Sequence, residues 1–182
     1  MNPPMKSKAS LIHICGIVGV FCLTLLALAY TREHYVQNWT SSMPPGLYRK
    51  HQVSRTLHAG DIVLLCPEKT PLLEEALNRR YLMDGDRQCW VTPLIKRVAA
   101  CEGDTVKTTA FGITVNDTLI PNSRAKSSDS KGRLLPVWSF EGTLADGDLL
   151  VLTDRPNSFD SRYFGLLRTS DVVSRLTPAI TF

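Results

Sequence analysis

Three short stretches of this chain carry side chains able to make and break covalent bonds. Residues 41–49 read SSMPPGLYR, a succession that suits neither a regular helix nor a central strand. A serine hydroxyl is a weak nucleophile until a base removes its proton. Histidine is the usual base, yet beyond residue 41 only His51 and His58 occur, and neither stands in a Ser-His-Asp pattern. The second stretch, PLIKRVAA at 93–100, sets Lys96 among Leu94, Ile95, Val98 and Ala99. If strand alternation turns Lys96 inward, desolvation lowers its pKa and leaves a neutral amine able to act as general base. The other reading is a lysine whose head reaches solvent or pairs with an acid. The third stretch, TDRPNSFDSRYFG at 153–165, crowds Ser158, Asp160, Ser161 and Arg162 into one loop. A carboxylate beside a guanidinium can fix such a loop as a bidentate pair, and a serine hydroxyl can orient a neutral lysine.

These groups must be positioned by the elements around them. Residues 11–30, LIHICGIVGVFCLTLLALAY, form an apolar run broken only by His13 and Thr24. At helical rise the run spans about 30 Å, the thickness of a bilayer core, and reads as a transmembrane helix. Lys6 and Lys8 precede it, whereas Arg32 behind it is accompanied by Glu33, a bias that puts residues 1–10 in the cytoplasm. A cleavable signal peptide is the competing reading, since Ala27-Leu28-Ala29 resembles a small-x-small cleavage site. Residues 31–41 read as a polar tether of at most about 35 Å, which keeps Ser42 near the membrane surface. Residues 42–182 are then one exported domain, large enough for a real core.

Within that domain HAGDIVLL at 58–65 and ADGDLLVL at 145–152 repeat a Gly-Asp turn leading into a buried strand, and EGDTV at 102–106 does so more weakly. Further strands are expected at 94–100, 112–116 and 171–176, with a hairpin turn at Asn116-Asp117. PLLEEALNRRYL at 71–82 has helical spacing, within a helical insertion near 67–88. NSRAKSSDSKGR at 122–133 lacks periodicity and reads as a mobile loop. The expected class is mainly β, with one short helical insertion and one transmembrane helix ahead of it.

Composition narrows the functions. A net charge of +4 is spread along the 182 residues with no basic run, so a nucleic-acid partner is not expected. Cys15 and Cys22 lie in the apolar helix and read as inert. Cys66, Cys89 and Cys101 fall in the exported part, where disulfides persist. No C-x-x-C spacing occurs and every histidine precedes residue 59, so no structural metal is expected.

Taken in order, SSMPPGLYR, GDIVLL, PLIKRVAACEGD and GDLLVLTDRPNSFDSRYFG resemble the signal peptidase I superfamily from about residue 38 to 175. The resemblance implies a complex of coiled antiparallel sheets carrying a Ser/Lys catalytic pair. It assigns Ser42 as nucleophile, Lys96 as general base and Ser158 as the hydroxyl orienting the lysine. Asp160 and Arg162 match the supporting carboxylate and guanidinium. The nucleophile's own N–H helps form the oxyanion hole in such enzymes, and Thr40 holds the position of a second donor. Ordinary signal peptidases have Ser-Met-x-Pro-Thr, whereas here Ser42-Met43 runs directly into Pro44-Pro45-Gly46-Leu47-Tyr48. That variant is similar to the TraF branch, the conjugative-transfer peptidases. By the same resemblance Cys66 and Cys89 form a disulfide and Cys101 stays unpaired.

The branch implies a peptidase/acyltransferase maturing a conjugative pilin precursor, with C-terminal peptide removal and head-to-tail cyclisation through an acyl-enzyme. It implies an inner-membrane, single-pass protein with a periplasmic catalytic domain, a prepilin polypeptide partner, other mating-channel components nearby and no cofactor. The alternatives are a general leader peptidase, a LexA-like self-cleaving regulator, and a non-catalytic tethered scaffold of a secretion channel. Asn38-Trp39-Thr40 and Asn116-Asp117-Thr118 match the N-glycosylation pattern but carry no weight in a presumed bacterial chain.

Overall fold

The computed structural model describes residues 6–53 and 56–182, with side chains from residue 12 onward. Residues 1–5 of the expected cytoplasmic segment lie outside it. The chain divides into two units between Val36 and Gln37.

The first unit is dominated by helix α1, Lys6–His34. Its Ile12–His34 portion is long and apolar enough to cross a membrane, and none of it is buried against protein. Its polar side chains do not interrupt it. The hydroxyls of Thr24 and Thr31 donate to the carbonyls of Phe21 and Leu28 at 2.7 and 2.9 Å, so they bring no unsatisfied group into an apolar surround. The helix is a candidate membrane anchor. The stretch 31–41 is shared between the end of α1, strand β1 (Tyr35–Asn38) and the turn that follows.

The second unit is mainly β and antiparallel. After β1 come β2 (Gly46–His51), β3 (Ile62–Leu65), α2 (Pro71–Asn78), β4 (Leu94–Ala100), β5 (Thr105–Thr109), β6 (Gly112–Val115) and β7 (Thr118–Leu119). They are followed by β8 (Glu141–Thr143), β9 (Asp148–Leu152), α3 (Ser161–Phe164), β10 (Leu167–Arg168) and β11 (Val172–Thr181). Seven strands form one sheet in the order β1-β2-β11-β3-β4-β9-β10, and four form a second in the order β7-β6-β5-β8.

Strands β4 and β9 are central and buried on both faces, which is why they read as apolar runs rather than as alternating ones. Along β9, Leu149 and Val151 join Val63, Leu65 and Val98 in one core, while Leu150 and Leu152 join Val106 and Ile113 in another. A register shift between Val98 and Ala100 lets β4 serve both, with Val98 in the first core and Ala100 in the second.

The local signals are met by specific chemistry. Asn116 and Asp117 take φ of 48° and 63°, the two left-handed residues of a tight hairpin between β6 and β7. Thr70 caps α2 by accepting the Leu73 N–H at 3.3 Å, and Pro71 opens the helix. The helical pattern ran to residue 82, but α2 stops at Asn78 because Arg80 turns left-handed at φ 66°, and Leu82 folds back into the core. Cys66 and Cys89 form a disulfide across this insertion, Cα atoms 5.7 Å apart, and Cys101 is a free thiol. The polar stretch 122–133, expected to be mobile, is tied down. The Tyr81 hydroxyl donates to Asp129 at 2.6 Å, Arg133 donates to the same carboxylate at 2.7 Å, and the Lys126 N–H donates to the Tyr163 oxygen at 3.1 Å.

Candidate active site

The site assembles from three parts of this scaffold, a turn, a central strand and a loop. The turn between β1 and β2 presents Ser42. It is anchored by Met43, buried beneath it, and by the Tyr48 hydroxyl, which donates to the Pro44 carbonyl at 2.7 Å. Gly46 is required where the turn enters β2: at φ 142° it lies so close to the Ile180 carbonyl of β11 that any side chain would collide with backbone.

Lys96 stands in the middle of β4, opposite Val63 on β3, and is 3% exposed. Its Nζ donates to the Ser158 Oγ at 2.7 Å and lies 3.3 Å from the Ser42 Oγ. The two serine oxygens are themselves 3.3 Å apart, so lysine and hydroxyls close a triangle. Burial pushes the Lys96 pKa down from 10.5 to about 8. The Asp160 carboxylate pulls it upward, and the Arg162 guanidinium adds to the depression. A fraction of the amine is therefore neutral near pH 7 and able to accept a proton from Ser42.

The loop 153–160 and α3 supply the support. Asp160, fully buried, caps α3 by accepting the Arg162 N–H at 3.3 Å and grips the guanidinium in a fork, Nε at 2.7 Å and Nη2 at 2.6 Å. Arg162, 1% exposed, uses two further donors on the carbonyls of Asn122 and Arg155, each at 2.8 Å. The Ser161 Oγ accepts the Val151 N–H at 3.0 Å and pins α3 to β9. Neither Asp160 nor Arg162 bonds to Lys96; both reach it through space, and they fix the backbone that carries Ser158.

The structure thus brings together Ser42, Lys96 and Ser158 as direct partners, with Asp160 and Arg162 behind them. Thr40 lies in the same turn, but its hydroxyl donates to the Asn38 Oδ1 at 2.8 Å. His51 bonds instead to Thr177 at 2.8 Å, across the β2–β11 ladder. Sequence reasoning missed Asn38. It stood only as part of a glycosylation pattern, although an asparagine closely preceding a Ser/Pro-rich turn is a strong local turn signal.

Comparison with known proteins places the chain in a family. The family model described as signal peptidase, peptidase S26 matches residues 7–180. The chain belongs to this family of peptidases. Relatives of the chain carry a more particular name. The conjugal transfer protein TraF of Agrobacterium tumefaciens (strain 15955) is 35% identical over 178 residues, covering 98% of this chain and 99% of its own. The plasmid transfer protein TraF of Escherichia coli is 33% identical over 169 residues, covering 92% of this chain and 94% of its own. Among solved structures, a signal peptidase I from Enterococcus faecalis V583 matches 67% of this chain and 97% of its own, with 22% identity and a TM-score of 0.39.

Proposed function

We propose that this protein is a membrane-anchored serine peptidase and acyltransferase that matures a conjugative pilin precursor. The observation that carries the chemistry is the buried Lys96 amine, within hydrogen-bond reach of both Ser42 and Ser158. In the reaction, Lys96 accepts the Ser42 proton as Oγ attacks a backbone carbonyl of the substrate. The resulting oxyanion is held by the Ser42 N–H, which donates to no protein acceptor among the described residues. Protonated Lys96 then delivers its proton to the departing amine, releasing a C-terminal peptide and leaving an ester on Ser42. Attack by the pilin's own N-terminal amine closes a cyclic subunit and restores the serine, whereas attack by water yields a linear one. Ser158 holds the lysine on line through both halves of the reaction.

The conjugative assignment is supported by the near full-length relatives named for conjugal and plasmid transfer. The localisation we infer is the bacterial inner membrane with the catalytic unit in the periplasm, supported by the apolar α1 and by the Cys66–Cys89 disulfide, which suits an oxidising compartment. Ser42→Ala and Lys96→Ala are each expected to abolish processing of a co-expressed prepilin while leaving the domain folded. Normal processing in either variant would falsify the assignment. Mass spectrometry of the mature pilin separates the two routes, since the cyclic product is one water lighter than the hydrolysed one.

A further inference from the structure

The turn that presents Ser42 closes around one side chain. Asn38, at the end of β1 and 3% exposed, aims its Nδ2 at the carbonyls of Met43 (2.9 Å), Pro44 (3.1 Å) and Thr40 (3.2 Å). Its Oδ1 accepts both the N–H (3.0 Å) and the hydroxyl (2.8 Å) of Thr40. This orientation is the only one the surroundings permit. A reversed amide would set an oxygen against three carbonyls and an NH2 against an N–H. The consequence for Thr40 follows directly. Oδ1 can only accept, so the single hydroxyl hydrogen of Thr40 points at Asn38 and is not free to donate to an oxyanion beside Ser42.

The turn has little else to hold it. Thr40, Ser41, Pro44 and Pro45 are exposed, and the residues 40–45 make no strand ladder. Met43, the Tyr48 hydroxyl and the Phe182 N–H on the Pro45 carbonyl fix its far side. On the near side Ser42 has only the 3.3 Å contacts of its hydroxyl with Lys96 and Ser158, and the backbone there is held by the carboxamide. A buried amide with both ends fully engaged on one short turn rigidifies that turn and specifies its path.

We propose that Asn38 is a positioning residue for the reaction: its carboxamide sets the 40–44 turn so that the Ser42 hydroxyl meets Lys96 and the Ser42 N–H faces the reacting carbonyl, with Thr40 acting through Asn38 rather than on the oxyanion. This rests on the reading of Ser42 as the nucleophile. Asn38 touches no substrate atom in this scheme; it acts by geometry alone.

The test uses the full-length chain in non-ionic detergent micelles and the p-nitrophenyl ester of N-acetylalanine as acyl donor. The burst of nitrophenolate that depends on Ser42 is followed across neutral and alkaline pH. Asn38→Ala is expected to lower the burst rate constant about 30- to 100-fold with KM within about threefold of the original. The midpoint of the pH profile stays in place, because Asp160 and Arg162 and the strand burial that set the Lys96 pKa do not depend on the turn. Asn38→Asp matches the side chain in size and keeps the acceptor for Thr40, but turns an oxygen toward three carbonyls. It is expected to show the same loss, and it decides the matter if the alanine variant does not fold. Thr40→Val is expected to cost about tenfold alone and nothing further in the Asn38→Ala background.

Two results overturn the proposal: Asn38 variants within about threefold of the unmodified protein, or Thr40→Val costing as much in the Asn38→Ala background as alone. If the unmodified chain gives no Ser42-dependent burst, the nucleophile assignment falls and takes this proposal with it. A normal burst that ignores both Asn38 variants refutes the positioning role alone.

Discussion

Replacing Lys96 by methionine is expected to make the protein inert and, at neutral pH, more stable. A lysine whose pKa falls from 10.5 to about 8 on folding carries about 3 kcal/mol against the folded state, at about 1.4 kcal/mol per pH unit. The sign follows from proton counting. Below about pH 8 both states are protonated and the full penalty is present. Between about 8 and 10.5 the folded protein has released its proton while the unfolded chain keeps it, so stability climbs with pH through that window and then levels off. Methionine fills a similar unbranched volume without a charge. Ser42 and Ser158 keep each other as partners at 3.3 Å, which limits the loss from removing the amine.

The assay is thermal unfolding of the full-length chain in non-ionic detergent, followed by tryptophan emission. At pH 7 Lys96→Met is expected to melt higher by roughly 6–12 °C, for about 3 kcal/mol in a unit of this size. The advantage shrinks to near zero by about pH 10.5. Tyr48, whose pKa burial pushes up, also titrates at the alkaline end, but it is common to both proteins and cancels in the difference. With the same group as the base of the proposed reaction, the acylation rate of the unmodified protein is expected to rise with pH to a plateau with a midpoint near 8. A stability difference that stays flat between pH 7 and 10.5 would show that burial places no burden on Lys96. Lys96 would then be an ordinary ammonium at neutral pH, unable to serve as the base.

Ser158→Ala removes the 2.7 Å partner of Lys96 and leaves only the longer bond to Ser42, so single-turnover acylation is expected to fall about 10- to 100-fold with KM little changed. Asp160→Asn strands a fully buried guanidinium, which costs about 3–5 kcal/mol and is measured as a lowered melting temperature. It also removes the charge that raises the Lys96 pKa, so the midpoint of the rate profile moves to lower pH in whatever fraction remains folded. Cys89→Ser opens a cross-link between residues 23 apart, a loss of about 3 kcal/mol in unfolding experiments. Thiol labelling of the unreduced, denatured protein is expected to modify Cys101 while sparing Cys66 and Cys89.

Much of the scaffold was legible because its determinants are local. The run 94–100 coincides with β4, since a strand buried on both faces needs apolar residues at nearly every position. The Asn116-Asp117 pair marked its hairpin because few other residues tolerate two successive left-handed conformations. The end of α2 was not legible, because helical spacing continues to residue 82 while tertiary packing draws Leu82 back under the helix. The anchoring of 122–133 escaped for the same reason: its partners Tyr81 and Tyr163 lie 48 and 37 residues away.

By itself the sequence determined which side chains are available for chemistry, their order, and the length and apolar character that make residues 11–30 a candidate membrane anchor, because these depend only on residue type and near neighbours. It left Lys96 ambiguous between a buried base and a solvated cation. Only the tertiary structure decided that, by setting β4 between β3 and β9 and so removing the ammonium from water at hydrogen-bond distance from two hydroxyls. It likewise decided the place of Asn38. A carboxamide next to a proline-rich turn is an ordinary polar residue in the sequence, and it becomes the hub of that turn only when the chain wraps five backbone and side-chain groups around it.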